Sequence, residues 1–387
     1  MMKKAVIITP FDNYSYNVRI KYLEQYLKED GYDSIVISSD FDHRNKCRYD
    51  AKRENLELLH VPQYKKNLSF LRIYSHYRFA KSVYKRLKEI SPDFVYCSAP
   101  PNFLFKYTAG YKRKNKSAKL IFEIGDLWPE TMPLNTRLKQ IFKIPLGIWA
   151  NLRNRNMKFA DYIIYECDLF RNILSKYHAN VKAETIYLAK DNFYKTAEPE
   201  YPQPDDFNVA YVGSINNIVD IDGIVMILAK LSESRSVKFH IIGDGENKKA
   251  LLDNCRKSGI PYTDYGVIYD DTKKKEILEK CQFGLNIMKS SVVVGATMKS
   301  LEYFHWGLIL INNILADTEN IISEYGCGFT IFHIDEKNLN EMADRISKLD
   351  KSKLLQMRKN SRKAYCRLFD ERIIHQEYMA ILDRLED

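Results

Sequence analysis

Lys299 and Glu302 stand three residues apart in the stretch 292–313, VVVGATMKSLEYFHWGLILINN. Gly295-Ala296-Thr297 reads as a loop that enters a helix, with the Thr297 hydroxyl as N-cap. The helix stops at Gly307, and the all-apolar 308–311 that follows reads as a buried strand. At that spacing the ammonium and the carboxylate leave one helix face. A lysine in a first turn opposes the helix dipole, which favours anions there. The misfit is resolved if the amides of Gly295, Ala296, Thr297 and Met298 share a phosphate with Lys299, while Glu302 accepts hydrogen bonds from a sugar diol. The plain alternative is an exposed Lys–Glu pair on a surface helix.

Parallel sheets take ligands at the carboxyl ends of their strands, so loops leaving apolar runs carry the remaining candidates. In the second half these are Gly213-Ser214, Gly243-Asp244-Gly245, Gly266 to Tyr269, and Lys289 to Gly295. Glycine directly after a strand lets backbone approach a ligand, or simply makes a turn. In the first half, TPFDNYSYNVR (9–19) leaves the first strand without a glycine. Asp12, Asn13, Tyr14 and Tyr16 offer side-chain hydrogen bonds there, and Arg19 a cation, unless the loop is merely structural. EIGDLWPE (123–130) leaves another strand; Asp126 is placed to orient a hydroxyl or accept its proton, or to cap a short turn.

Two basic, aromatic stretches account for much of the charge. Residues 70–88 mix Arg72, Arg78, Lys81, Lys85, Arg86 and Lys88 with Tyr74, Tyr77, Phe79 and Tyr84. Residues 137–158 mix Lys139, Lys143, Arg153 and Arg155 with Ile141, Phe142, Ile144, Ile148 and Trp149. Such cationic amphipathic surface suits anionic lipid headgroups, although its apolar residues could equally pack in a core. No nucleic-acid-binding module is recognisable, so no nucleic-acid partner is expected. Residues 1–190 hold 34 Lys and Arg against 19 Asp and Glu, and the remainder 26 against 31, which places the +10 net charge in the first half.

The 387 residues suffice for two cores. No run of 18 apolar residues exists, and the apolar run 5–8 is too short for a secretory signal. Seven dispersed cysteines fit reduced thiols in a cytoplasm. The eight histidines show no metal spacing, and no nucleophile elbow or P-loop occurs, so neither a metal nor a cofactor is expected.

Strands at 5–8, 34–38, 56–61, 94–97, 120–123, 162–165 and 184–187 alternate with helices, which predicts an α/β sheet of parallel strands covered on both faces. KTAEPEYPQPDD (195–206) reads as a linker, and the alternation restarts with strands at 208–212, 238–242, 262–265, 284–288 and 308–311. The expected division is a first domain at 1–190, a linker at 191–206, a second domain at 207–365 and a final helix at 366–387.

The K-x-x-E-Y of 299–303, the order of glycine loops before it and the DLWPE segment together resemble retaining GT-B glycosyltransferases of the family 4 type. The likeness in element order spans nearly the whole chain, while its specific motifs fill short windows. It implies two Rossmann-like domains facing across a cleft, with the last helix returning to the first. It implies a metal-independent enzyme that binds a nucleotide-sugar, a UDP-sugar foremost, in the second domain. Tyr265, Val267 and Ile268 would read the base, Gly213, Ser214, Gly243, Gly245 and Lys289 would lie along the diphosphate, and Asp126, Lys299 and Glu302 would serve the chemistry. The acceptor would be a lipid-linked glycan of a cell-surface polysaccharide, met at the inner face of a bacterial membrane, with Asp12, Asn13, Tyr14, Tyr16 and Arg19 on the acceptor side. The family usually grips the diphosphate with an Arg and a Lys where this chain has Ser214 and Val219, and its first Glu is replaced by Val294. Those losses motivate a second expectation, a non-catalytic GT-B subunit, and a third is a sugar-nucleotide epimerase.

Overall fold

Strand and helix alternate along the computed structural model, which describes residues 3–12, 18–132, 134, 136–190, 199–200 and 206–386. The order begins β1 (Lys3–Ile8), α1 (Val18–Glu29), β2 (Tyr32–Ser39), a small hairpin of β3 (Phe41–Asp42) and β4 (Cys47–Arg48), and β5 (Leu56–Leu59). It continues α2 (Phe70–Ile90), β6 (Phe94–Ala99), α3 (Phe103–Lys114), β7 (Lys119–Ile124), α4 (Thr136–Ile141), α5 (Lys143–Asn154), β8 (Tyr162–Tyr165), α6 (Asp168–Leu174) and β9 (Lys182–Thr185). Apart from the hairpin, these strands form one parallel sheet ordered β5-β2-β1-β6-β7-β8-β9.

A second parallel sheet, β12-β11-β10-β13-β14-β15, is built from β10 (Phe207–Val212), α7 (Ile221–Ser232), β11 (Val237–Ile242), α8 (Lys248–Lys257), β12 (Tyr262–Asp264), α9 (Asp271–Leu278), β13 (Phe283–Asn286), α10 (Met298–His305), β14 (Ile309–Asn312), α11 (Asp317–Tyr325) and β15 (Gly328–Thr330). The helices α12 (Glu336–Ser347), α13 (Lys351–Leu368) and α14 (Glu371–Glu386) end the chain. Two compact units result, residues 1–189 with 374–387, and residues 190–373.

In the first sheet the side-chain alternation of a strand sorts the core into two layers. Val6, Ile8, Val95, Cys97 and Phe122 pack with Phe79, Val83 and Leu87 of α2 and Leu104 and Phe105 of α3. Their neighbours Ala5, Ile7, Phe94, Tyr96 and Ile121 pack instead with Ile20, Leu23 and Leu27 of α1 and Ile374, Tyr378, Ile381 and Leu382 of α14. The last helix thus supplies part of the first unit's core.

Differences from the sequence reading are local. The final strand of the first sheet pairs over Lys182–Thr185, two residues earlier than expected, because Tyr162 to Tyr165 align with Lys182 to Thr185 and leave Ile186 as a buried side chain beyond the ladder. The hairpin and β15 were not anticipated. At two and three residues per strand they are too short to show a period. Most of the expected linker, together with Asn13, Tyr14 and Tyr16, lies outside the described residues. No helix among the described residues is long and apolar enough to cross a membrane.

Candidate functional site

The second unit's loops are held by their own glycines. Gly213 ends β10 at φ +115, Gly243 ends β11 at φ +156, and Gly245 follows at φ +155. A Cβ at Gly243 would lie 2.0 Å from the Gly213 carbonyl oxygen, and one at Gly245 would lie 2.4 Å from that of Ile215. These glycines therefore let two loops close on each other. The Gly243 amide donates to the Gly266 carbonyl at 2.7 Å, which brings the loop after β12 to the same edge. There Val267 is exposed, and among the described residues nothing engages the backbone N–H or C=O of Val267 or Ile268. Tyr265 is anchored beside them, its hydroxyl 2.9 Å from His240 Nδ1.

Helix α10 is fixed by a tyrosine that sequence reasoning assigned no task. The Tyr303 ring lies where Gly284 lacks a side chain; a Cβ there would meet the ring at 2.6 Å. The Tyr303 hydroxyl donates to Leu285 O at 3.0 Å and accepts from Val212 N at 2.9 Å, pinning the helix over the carboxyl ends of β13 and β10. Thr297 caps it as expected: Ser300 N donates to Thr297 Oγ1 and Thr297 N to Ser300 Oγ, both at 3.0 Å. The Gly295 carbonyl is tied down by the Thr318 amide and hydroxyl, at 3.0 and 2.8 Å. That leaves the amides of Met298 and Lys299 without an acceptor among the described residues.

The Lys299 side chain runs beside Gly213, with Cε 3.4 Å from where a Cβ would stand, and its Nζ lies 5.3 Å from the centre of the Tyr211 ring. Among the described residues no carboxylate meets it, and burial pushes its pKa down to about 8. Glu302 is different. Its Oε2 accepts from Lys190 Nζ at 2.5 Å, and its Oε1 accepts from Trp306 Nε1 at 2.9 Å and lies 3.5 Å from Lys274 Nζ. Burial raises its pKa, but Lys190 and Lys274 prevail and hold it at about 2. The exposed Lys–Glu pair is thereby excluded: both side chains are shielded and they are not partners.

Solved structures share this architecture over the full chain. Sucrose-phosphate synthase from Thermosynechococcus elongatus superposes with a TM-score of 0.71 at 12% identity, covering 99% of each chain. HepE from Anabaena in complex with UDP gives 0.68 at 14% identity, and the lipopolysaccharide outer core galactosyltransferase WaaB in its apo form gives 0.65 at 16%; each covers 99% of this chain and 100% of its own. The fold is GT-B. No family model and no curated protein matches the sequence.

In this GT-B chain several predicted residues lie elsewhere or do other work. Lys289 is exposed, with its amide bound to Ile218 O at 2.9 Å. Ser214 is exposed, Val219 is buried, and Val294 is partly covered. Lys190 and Lys274, the cations that do gather, were not singled out in the sequence; the one local sign was the three-residue spacing of Asp271 and Lys274, which form an ion pair at 2.6 Å. In the first unit Arg19 is committed to the interior. Its Nε meets Glu123 at 2.7 Å, NH1 donates to Tyr378 at 2.6 Å and NH2 to Ile186 O at 2.9 Å. Asp12 is buried 3.4 Å from Arg53, and burial raises its pKa.

The DLWPE segment is a braced turn. Asp126 Oδ1 accepts from Leu127 N at 2.7 Å and Thr131 Oγ1 at 2.5 Å. Arg153 donates to Trp128 O at 2.7 Å and clamps both oxygens of Glu130, while Asn102 Nδ2 also reaches Trp128 O at 2.8 Å. Burial raises the pKa of Asp126, and pushes that of Glu166, at the end of β8, up to about 8. Glu166 escaped the sequence reading because one Glu after a strand carries no pattern. Among the described residues no three His, Cys, Asp or Glu side chains gather as a metal site would require.

Proposed function

We propose that the protein is a glycosyltransferase that moves a sugar from a nucleoside diphosphate, UDP foremost, to a lipid-linked glycan acceptor in cell-surface polysaccharide synthesis. The observation that carries this reading is the Lys299 ammonium: half-buried, beside Gly213 and in the first turn of a helix, with neither a carboxylate on it nor an acceptor on the first amides among the described residues. A half-buried ammonium that no carboxylate among the described residues neutralises is costly, and a diphosphate would supply the missing counter-charge. The free backbone edges of Val267 and Ile268 suit a nucleobase. The UDP and UDP-glucose complexes of HepE support a donor of this class.

In the reaction the bond between the anomeric carbon and the diphosphate oxygen breaks as the acceptor oxygen bonds to that carbon. The acceptor proton passes to the departing diphosphate, whose charge Lys299 and the α10 amides stabilise. Attack from the leaving-group face gives retention. Glu302, kept ionised by its two lysines, accepts hydrogen bonds from donor hydroxyls. Asp126, already braced by Leu127 and Thr131, orients the acceptor hydroxyl. No step uses a metal. The cationic α2 and the exposed apolar residues running from the end of α4 into α5, Ile141, Phe142, Ile144 and Ile148, support docking on an anionic membrane at its inner face. The decisive experiment is release of nucleoside diphosphate from a panel of nucleotide-sugars, with and without bacterial membrane extract. Acceptor-dependent release supports the reading. No release from any donor returns the chain to a non-catalytic role, and donor conversion without an acceptor points to an epimerase.

A further inference from the structure

In the second unit, Met226 excepted, every large apolar side chain left exposed among the described residues follows the carboxyl end of a strand. Three of them frame the start of α10: Val293 at 38% exposure, Met298 at 54% and, after β14, Leu315 at 49%. Apolar surface gathered beside a ligand site reflects what the ligand presents to it. The backbone beneath this surface is fixed. The Gly295 carbonyl accepts from the Thr318 amide at 3.0 Å and from its hydroxyl at 2.8 Å. Asn313 clasps Met288, accepting from its N at 2.8 Å and donating to its O at 2.7 Å. Asn312 holds Ile314 in the same way, at 3.1 and 2.6 Å, just before Leu315. The loop before α10 and the loop after β14 therefore form one wall that is organised without a ligand.

The chemistry of that wall is one-sided. From residue 292 to 298 the side chains are apolar, or absent at Gly295, save Thr297, whose hydroxyl is committed to the helix cap and to Asn286. Residues 314–316, Ile-Leu-Ala, add no polar side chain. The backbone supplies donors instead. Among the described residues the N–H groups of Val293, Val294, Gly295 and Ala296 meet no acceptor. Gly295 is buried, so its open N–H carries a penalty that an acceptor on a ligand would remove. Donors set among apolar side chains match a carbonyl that bears a methyl. A hexose hydroxyl placed against those side chains would lose its water without gaining a partner, at about a tenfold loss of affinity.

The place of the wall narrows the choice further. It leads directly into the Met298 and Lys299 amides, where the diphosphate is proposed to lie. A substituent on the sugar carbon next to the anomeric one hangs within a few ångströms of that diphosphate. We infer that the donor sugar is a 2-acetamido sugar, its carbonyl oxygen received by the open N–H groups of residues 293–296 and its methyl packed on Val293, Val294, Met298 and Leu315. The inference rests on the reading of Lys299 and the α10 amides as the diphosphate site.

Calorimetry on the full chain tests it, with UDP alone, the UDP-hexoses and UDP-N-acetylhexosamines of the gluco and galacto series, and UDP-6-deoxyglucose, which has a methyl but no carbonyl. One acetamido donor should bind at least tenfold more tightly than its parent hexose, and in Val294→Asp and Leu315→Asp that ratio should fall to near one. If Val294→Asp does not fold, Leu315→Asp, altered at an exposed position, decides. Equal binding of acetamido donors and their parents would overturn the inference. So would a 6-deoxy donor that binds as tightly as the acetamido one, since apolar contact alone would then suffice, and so would an unchanged ratio in Leu315→Asp. Should UDP itself not bind, the diphosphate reading is lost and the acetamido site with it; UDP binding without an acetamido preference defeats the acetamido site alone.

Discussion

Lys299 carries its charge at a cost to the fold, which makes function and stability separable at one residue. Burial lowers its pKa from the ordinary lysine value to about 8. The ammonium is lost above that pH, so the dissociation constant for UDP should rise steeply above about pH 8 and stay flat below it. Calorimetry across pH 6.5–9.5 checks this. Because the folded value lies below the unfolded one, the charge opposes folding below pH 8, and that penalty fades as pH rises toward 10.5. Lys299→Met should therefore weaken UDP binding at least thirtyfold, yet raise unfolding stability at pH 7 by about 1–3 kcal/mol. Glu302 has the opposite sign. Its pKa, held near 2, contributes stability that is complete above about pH 4.5 and lost as pH falls toward 2. Glu302→Gln leaves Lys190 and Lys274 short of a counter-charge and should cost on the order of 3 kcal/mol in a denaturant melt.

At the level of elements, α10 is as much a product of its neighbours as of its own residues. Its cap was legible, because Thr297 followed by an apolar-periodic run after Gly295 is a start signal that local geometry honours. Thr297→Ala should cost about 1 kcal/mol and lower UDP affinity together, since the same turn presents the amides. The alternation of strands and helices was legible for the same local reason. What was not legible is what closes on the helix: Lys190 lies 112 residues from Glu302 and Lys274 lies 28, and no period links them. Nor did the sequence reveal why Gly243 is glycine. A ligand and a second loop both demand bare backbone, and only the 2.0 Å approach of the Gly213 carbonyl separates the two causes. Gly243→Ala should lower stability by more than about 3 kcal/mol even without ligand, measured by thermal unfolding. For α5 the apolar residues were open to a core or a surface role, and the exposure of Ile144 and Ile148 answers for the surface. Ile144→Asp with Ile148→Asp should leave the melting temperature unchanged and abolish co-sedimentation with anionic vesicles.

For the whole molecule, the GT-B architecture could be read from element order because each strand lay in a short apolar run bounded by turns. The polar tail resolved less well, since the break between α13 and α14 falls at Phe369 and Asp370, without glycine or proline. Chain ends meet in the first unit. Arg19 of α1 binds Tyr378 of α14, and Ile374, Ile381 and Leu382 fill the layer beneath β1 and β6. Removing residues 374–387 should unfold the first unit while the second keeps its protection in hydrogen exchange.

A ribosome would deliver this protein in an order that the finished architecture does not follow. The β1–β9 sheet emerges early, yet one of its faces stays uncovered until the stretch holding Tyr378 and Leu382 has left the exit tunnel, by which time residues 190–373 are already free to fold. For that interval the nascent first unit needs a guardian or a slow clock, and a message cut short just before residue 374 would yield an aggregation-prone product in place of a slightly weakened one.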